Sequence, residues 1–328
     1  MALIRTQNVK IAGVSAAIPS NEQSNQELSD MSQESIDLLI QTTGIHSRRV
    51  APKSLTTSDM CFASAEKLLN ELRWDRNEIE ILILVTQTPD QPIPGSSMIL
   101  QERLGLPKSC MAMDLNQGCA GYIYGLSTIM SLMSASKLKK GLLLVGDTIT
   151  HLLDENDQST VPIFSDAGTA TALVYDEAAE EALFNLQTDG KGCDAIQQKR
   201  GECMRMNGHQ VFHFGLKEVV PNVKTTLEEK GLSVDEIDQF VFHQANKLLN
   251  ESIRKKLKIP TEKVPYTLNE LGNTSCATIP LTIVKALKNE LESNENTCLL
   301  AGFGVGLSWG SGVVNFSDCV LPDLIEMK

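Results

Sequence analysis

Residues 114–126 read DLNQGCAGYIYGL, with a single cysteine, Cys119, among small residues at the start of a helical run. Tyr122, Leu126, Ile129 and Met133 recur at helical spacing after it. Cys119 is therefore expected at or near a helix N-terminus. Unpaired N–H groups and the helix dipole there favour the thiolate, which is the nucleophilic form. Gly118 and Gly121 leave room for a backbone or a substrate to approach. Three later features keep this cysteine company. His243 follows an apolar run in VFHQAN, Asn273 lies in the glycine-containing loop ELGNTSCA, and GFGVGLSWG at 302–310 reads as a turn between two strands. C-terminal strand ends carry sites in open α/β folds. Taken singly, each has a structural reading: a buried cysteine, a core histidine, a turn asparagine. Together, at matching ends of a repeated pattern, they suggest a nucleophile with two polar partners.

The elements that must position them repeat. Residues 8–19 read as a strand stopped by a proline. Ser24 with Glu27 suggests a capping box ahead of a helix through Leu38–Ile40, and 59–73 read as a second helix. Asp75 and Glu78 open a helical turn before the continuous apolar strand Ile81–Val85. A helix through Met98–Leu104 follows, then the Cys119 helix and the strand Leu142–Val145. The same order returns 158 positions on. Ser233 and Glu236 repeat the helix-start signal, and EIDQFVFH at 236–243 matches EIEILILV at 78–85. A helix around Ala277–Lys288 stands where the Cys119 helix stood, and Leu299–Gly302 where Leu142–Val145 stood. An offset of half the chain is an internal duplication rather than a solenoid repeat. It divides the chain into residues 1–176, with Cys119, and 177–328, with His243 and Asn273. The polar stretch at about 190–210 is an inserted excursion. Two βα-rich halves imply two similar layers packed back to back.

Totals exclude several classes. The 328 residues are 42% hydrophobic and 21% charged, ordinary globular values. No apolar run reaches the roughly 18 residues a bilayer span requires. The N-terminal segment has no basic stretch leading into an apolar core, so no secretion signal is read. Eight cysteines without a C-x-x-C pair argue against zinc and disulfides and suit a reducing cytosol. A net charge of −12 argues against nucleic acid. It still allows an acidic partner where cations cluster, as at Lys247, Arg254, Lys255, Lys256 and Lys258. The same cluster also reads as a solvated helix end whose cations suit the dipole.

In its ordered motifs the sequence resembles the β-ketoacyl-ACP synthase III branch of the thiolase superfamily. The motifs are TGI at 43–45, DLNQGCAGYIYGL, FSDAGTA at 164–170, MRMNGHQVF at 204–212, HQAN at 243–246, GNTS at 272–275 and FGVGLSWGSG at 303–312. The resemblance implies an α/β thiolase-like fold, duplicated βα halves in five layers (αβαβα), in a cytoplasmic homodimer. By motif, Cys119 is the acyl-accepting nucleophile with His243 and Asn273 as partners. Phe303 is the aromatic gate, and the N–H groups of Cys119 and Val305 form the oxyanion hole. Leu38 stands where many members have an adenine-stacking tryptophan, and Gln158 where an arginine grips coenzyme A. Ile93 corresponds to the residue of the partner subunit that limits acyl length. An acyl carrier protein is the implied partner, docking at Lys247, Arg254, Lys255 and Lys256, although Leu248 replaces the family's arginine there.

The implied reaction is a decarboxylative Claisen condensation of an acyl thioester, acyl-CoA or acyl-ACP, with malonyl-ACP. It needs no metal or redox cofactor; coenzyme A or phosphopantetheine thioesters are the substrates. A thiol keeps the acyl group as another thioester, so little energy is lost. The alternative is non-decarboxylating acyl transfer to another nucleophile in a surface-polysaccharide or secondary-metabolite pathway. A non-catalytic partner subunit is a third reading, which an intact Cys119, His243 and Asn273 disfavours. GLSWG at 306–310 matches a hydrolase nucleophile elbow, but a strand rather than a helix follows it. The order Cys, His, Asn also occurs in papain-like proteases, whose local signature is missing here.

Overall fold

The computed structural model describes residues 2–29, 31–293 and 296–328. Its two main sheets use eleven strands: β1 (Ala2–Thr6), β2 (Val9–Pro19), β3 (Ile81–Val85), β4 (Met111–Leu115), β5 (Lys140–Asp147), β6 (Ala167–Tyr175), β7 (Ala182–Thr188), β8 (Gln239–Phe242), β9 (Asn296–Gly304), β10 (Ser308–Phe316) and β11 (Ile325–Met327). One sheet has the order β11-β2-β6-β5-β3-β4 and the other β1-β7-β10-β9-β8. The pairing repeats between them. β2 runs antiparallel to β6, β6 antiparallel to β5, and β5 parallel to β3. Likewise β7 runs antiparallel to β10, β10 antiparallel to β9, and β9 parallel to β8. The chain ends cross over: β1 joins the second sheet and β11 the first.

Seven helices are used here: α1 (Gln33–Thr43), α2 (Thr57–Leu72), α3 (Ser96–Arg103), α4 (Gly121–Ser136), α5 (Val220–Lys230), α6 (Lys247–Leu257) and α7 (Thr278–Ala286). Strand alternation sorts them into five layers. Leu82, Leu84, Leu142 and Leu144 cluster with Leu68 of α2 and Leu100 of α3 on one outer face. Ile81, Ile83, Val85 and Leu143 turn the other way, onto Tyr122 and Leu126 of α4 and Ile279 and Ile283 of α7. Val241, Cys298 and Leu300 of the second sheet join that central cluster. Phe240, Phe242, Leu299 and Ala301 face outward onto Val223 of α5 and Leu249 and Ile253 of α6. Period-two alternation in strands buried on both faces produces this arrangement directly.

Helix starts differ from the sequence reading. Ser24 caps only a one-turn 3-10 helix, Asn25–Glu27, by accepting from the Gln26 N–H. The buried Asn25 amide holds that turn by donating to the Ile45 and Pro162 carbonyls, so α1 starts later, under the Ser32 cap. α2 starts at a reciprocal capping box of Thr56 and Asp59. The Asp75 signal opens a single 3-10 turn. Ser233 and Glu236 do form a capping box, again on one 3-10 turn. The stretch at 190–210 holds a 3-10 turn, Gly190–Ala195, and a short antiparallel pair, Ile196–Gln197 with Arg205–Met206. Among the described residues no helix is long and apolar enough to cross a membrane.

Candidate active site

Cys119 lies two residues before α4, in the turn that follows β4, and only 6% of it is exposed. α4 runs between the two sheets, so its N-terminal end reaches the C-terminal ends of the parallel strands. His243 directly follows β8 and is fixed by its own N–H donating to Ala301 of β9 at 2.8 Å. Asn273 is clamped by backbone: its N–H donates to Ile163 at 2.9 Å, and its carbonyl accepts from Ser165 at 2.9 Å. Both side chains are buried. Phe303, in β9, sets its ring edge-on to the His243 imidazole with centroids 5.4 Å apart. Gly304, next along, leaves space for the nucleophile. A Cβ there would lie 2.7 Å from Cys119 Cβ and 3.0 Å from its sulfur.

Ser275 ties the group together. Its hydroxyl and the N–H groups of Cys119 and Val305 all approach the Cys119 sulfur. Its own N–H donates to Asn273 Oδ1 at 2.9 Å. Its carbonyl lies 3.2 Å from Thr278 Oγ1, and that hydroxyl lies 2.7 Å from His243 Nδ1. Ser275 holds a φ of 54°, a left-handed conformation costly for a non-glycine residue, and this one turn touches all three side chains or their partners. The sequence reading missed Ser275 and Thr278. Their only signal was position, within GNTSCAT beside Asn273.

Electrostatics correct one expectation. Burial, and then the Asp147 carboxylate, push the Cys119 thiol up to about 12. The Ser275 hydroxyl and the two N–H groups act in the opposite direction but are outweighed. The helix end therefore does not make a resting thiolate; the sulfur is too enclosed, and a buried anion stands nearby. Asp147 ends β5 and accepts from Gln87 N, Thr86 Oγ1 and Thr88 Oγ1 at 2.7, 2.9 and 3.1 Å. A charged residue closing the apolar run LLLVGD was its sequence signal. Burial also lowers His243 to about 3, so its imidazole is neutral.

The peripheral candidates are spread over the surface. Ile93 is 85% and Leu38 63% exposed, and Gln158 is exposed as well. Lys247, Lys255, Lys256 and Lys258 are exposed along or just after α6. Arg254 differs from them: its guanidinium turns back onto Glu251 and the Ile259 carbonyl, which makes it a helix-stabilising group rather than an open docking cation. Among the described residues no three His, Cys, Asp or Glu side chains converge as a metal site requires.

Comparison with known proteins gives a consistent set of matches. The model for 3-oxoacyl-[acyl-carrier-protein] synthase III matches residues 113–192, and the model for its C-terminal part matches 227–316. Beta-ketoacyl-[acyl-carrier-protein] synthase III 1 of Halalkalibacterium halodurans is 34% identical over 92% of this chain and 96% of its own. The protein of the same name from Bacillus cereus is 32% identical over 93% and 97%. The crystal structure of a 3-oxoacyl-(acyl-carrier protein) synthase from Burkholderia xenovorans superposes with a TM-score of 0.96 at 36% identity, covering 99% of each chain.

Proposed function

The chain belongs to the β-ketoacyl-[acyl-carrier-protein] synthase III family, and from that premise we propose that Cys119, His243 and Asn273 carry out its condensation. The enzyme joins an acyl thioester to malonyl-ACP with loss of carbon dioxide. The observation that best supports these roles is the Ser275 turn, which reaches the Cys119 sulfur, the Asn273 amide and the Thr278 partner of His243. In the first half-reaction the Cys119 sulfur attacks the acyl carbonyl. The tetrahedral oxyanion is held by the N–H groups of Cys119 and Val305, which already converge at the sulfur. The S–C bond to the carrier breaks, and the thiol proton of Cys119 ends on the departing thiol. In the second half-reaction the malonyl C–C bond breaks and releases carbon dioxide. Its electron pair makes an enolate, and His243 and Asn273 stabilise its oxygen with N–H donors. The enolate carbon attacks the acyl-Cys119 carbonyl, the β-ketoacyl product leaves, and the sulfur recovers a proton from solvent. Every developing charge is met by an N–H donor, so the scheme calls for no metal or redox group.

Neutrality of His243 suits this role, since decarboxylation leaves no substrate proton to remove and an uncharged N–H still donates to the enolate oxygen. Phe303 borders the site as an aromatic wall. Lys247, Lys255 and Lys256 form a cationic face in a chain of net charge −12, which favours an acidic carrier protein. Leu38 and Gln158 stand where an adenine grip is otherwise built, so we read the donor as either a CoA or a carrier thioester. The matching strand pairs support reading 1–176 and 177–328 as two copies of one unit. Eight free cysteines suit a cytoplasmic enzyme.

Intact-mass spectrometry with acyl-CoA and acyl-carrier donors tests the assignment. The expected result is a single acyl adduct, absent in Cys119→Ala, that disappears on adding malonyl-ACP as β-ketoacyl-ACP forms. A folded protein that gains no mass from any donor would overturn the nucleophile.

A further inference from the structure

A neutral imidazole carries one N–H, and whichever nitrogen holds it decides whether the other can donate or only accept. At His243 that choice lies with Thr278. Its hydroxyl sits 2.7 Å from Nδ1 and 3.2 Å from the Ser275 carbonyl. A hydroxyl has one proton to give, for which Nδ1 and the Ser275 carbonyl compete, and an Nε2–H donor to the enolate requires that Nδ1, the nearer of the two, receive it. Thr278 is the first residue of α7, its β-branched side chain is confined to few rotamers, and it is buried. We propose that Thr278 is a positioning residue that donates to His243 Nδ1 and so keeps the imidazole proton on Nε2, the nitrogen that must serve the enolate. The same turn treats the second donor in the same way. Ser275 N–H occupies Asn273 Oδ1 at 2.9 Å, which fixes the amide and leaves Nδ2 as its donating end. One short segment, 275–278, thus presets both N–H donors before substrate arrives, so neither must reorient when charge develops. This inference rests on the decarboxylative condensation proposed above.

Its test uses the full-length protein labelled with 15N-histidine, with the His243 signal identified by its loss in His243→Gln. The wild type is expected to show the Nε2–H tautomer. Thr278→Val removes the hydroxyl and keeps the shape. The Ser275 backbone, which already acts on the ring as an acceptor, is then left without the competing hydroxyl, so the proton moves to Nδ1. Condensation is expected to fall roughly 100-fold, the cost of losing one preset donor, while acylation of Cys119 stays near the wild-type rate. Thr278→Ser restores both tautomer and condensation. A wild-type spectrum showing Nδ1–H would overturn the proposal, as would a valine variant that keeps Nε2–H or one that loses both half-reactions equally. If the valine variant fails to fold, the wild-type and serine spectra still decide. A wild type with Nε2–H that decarboxylates no malonyl thioester would sink the reaction assigned above and uphold the role of Thr278.

Discussion

At the scale of single residues, the site trades a ready nucleophile for an enclosed one. Cys119 sits where a helix N-terminus should lower its pKa, yet burial and Asp147 push it up to about 12. A thiol held this way stays protonated through the neutral range, and its reactive fraction rises with pH. Alkylation of Cys119 by iodoacetamide should therefore accelerate by about tenfold per pH unit from pH 7 to 9 without levelling off. Asp147→Asn removes the nearby anion and should raise the rate at pH 7. Mass-resolved labelling, which separates Cys119 from the exposed Cys193 and Cys203, measures both. A rate already flat below pH 8 would mean a resting thiolate and would contradict the electrostatics described here.

At the scale of elements, α4 shows how the site is held and how far sequence could be read. Its apolar spacing announces a helix at the right place, and the continuous strands beside it announce a buried parallel sheet. Helix spacing alone does not reveal that both of its sides meet sheets. That depends on glycine: a Cβ on Gly125 would lie 2.7 Å from Val85 and 2.9 Å from Leu143. Gly125→Ala should accordingly destabilise the fold by about 1–3 kcal/mol through overpacking, read as a lower urea midpoint with an unchanged slope. An unchanged midpoint would mean that α4 has slack against β3 and β5. The repeated succession of strands and helices was legible because alternation and duplication are local or periodic signals. Cys119, His243 and Asn273 stood out as candidates because each lies in a distinctive short motif. Ser275, Thr278 and Asp147 were not, because their roles arise from contacts between segments far apart in the chain. Asp147 reaches Gln87 across 60 residues, and Thr278 reaches His243 across 35. Helix starts misled for a related reason. The Ser24 signal is real chemistry, but Asn25 is fastened to Ile45 and Pro162 and permits only one turn.

At the scale of the whole molecule, the edge strand β4 is unfinished. It pairs with β3 on one side, and no other strand lies on its far side among the described residues. Beside it Asp114 accepts from the Ser96 and Ser97 N–H groups and caps the start of α3, which brings that helix to the same edge. Met111 and Met98, on β4 and α3, are 40% and 55% exposed, and Ile93, just before α3, is 85% exposed. An open strand flanked by exposed apolar side chains is a template for pairing unless something covers it. A second copy of the chain, the partner expected from the sequence, would cover it, since a two-fold axis through the edge would bring the same patch against itself. Sedimentation should then report a particle of twice 35.9 kDa. Met98→Asp with Met111→Asp should split it into single chains, because like charges would have to be buried in the interface without partners. In such a dimer the neighbouring copy would cover Ile93, which is otherwise 85% exposed to water. Ile93→Phe should then shorten the longest acyl group that Cys119 accepts, in intact-mass assays, without altering the mass of the particle. A fully active single chain, or an acyl range indifferent to Ile93, would remove the partner from the site and leave each chain to bound its own acyl pocket.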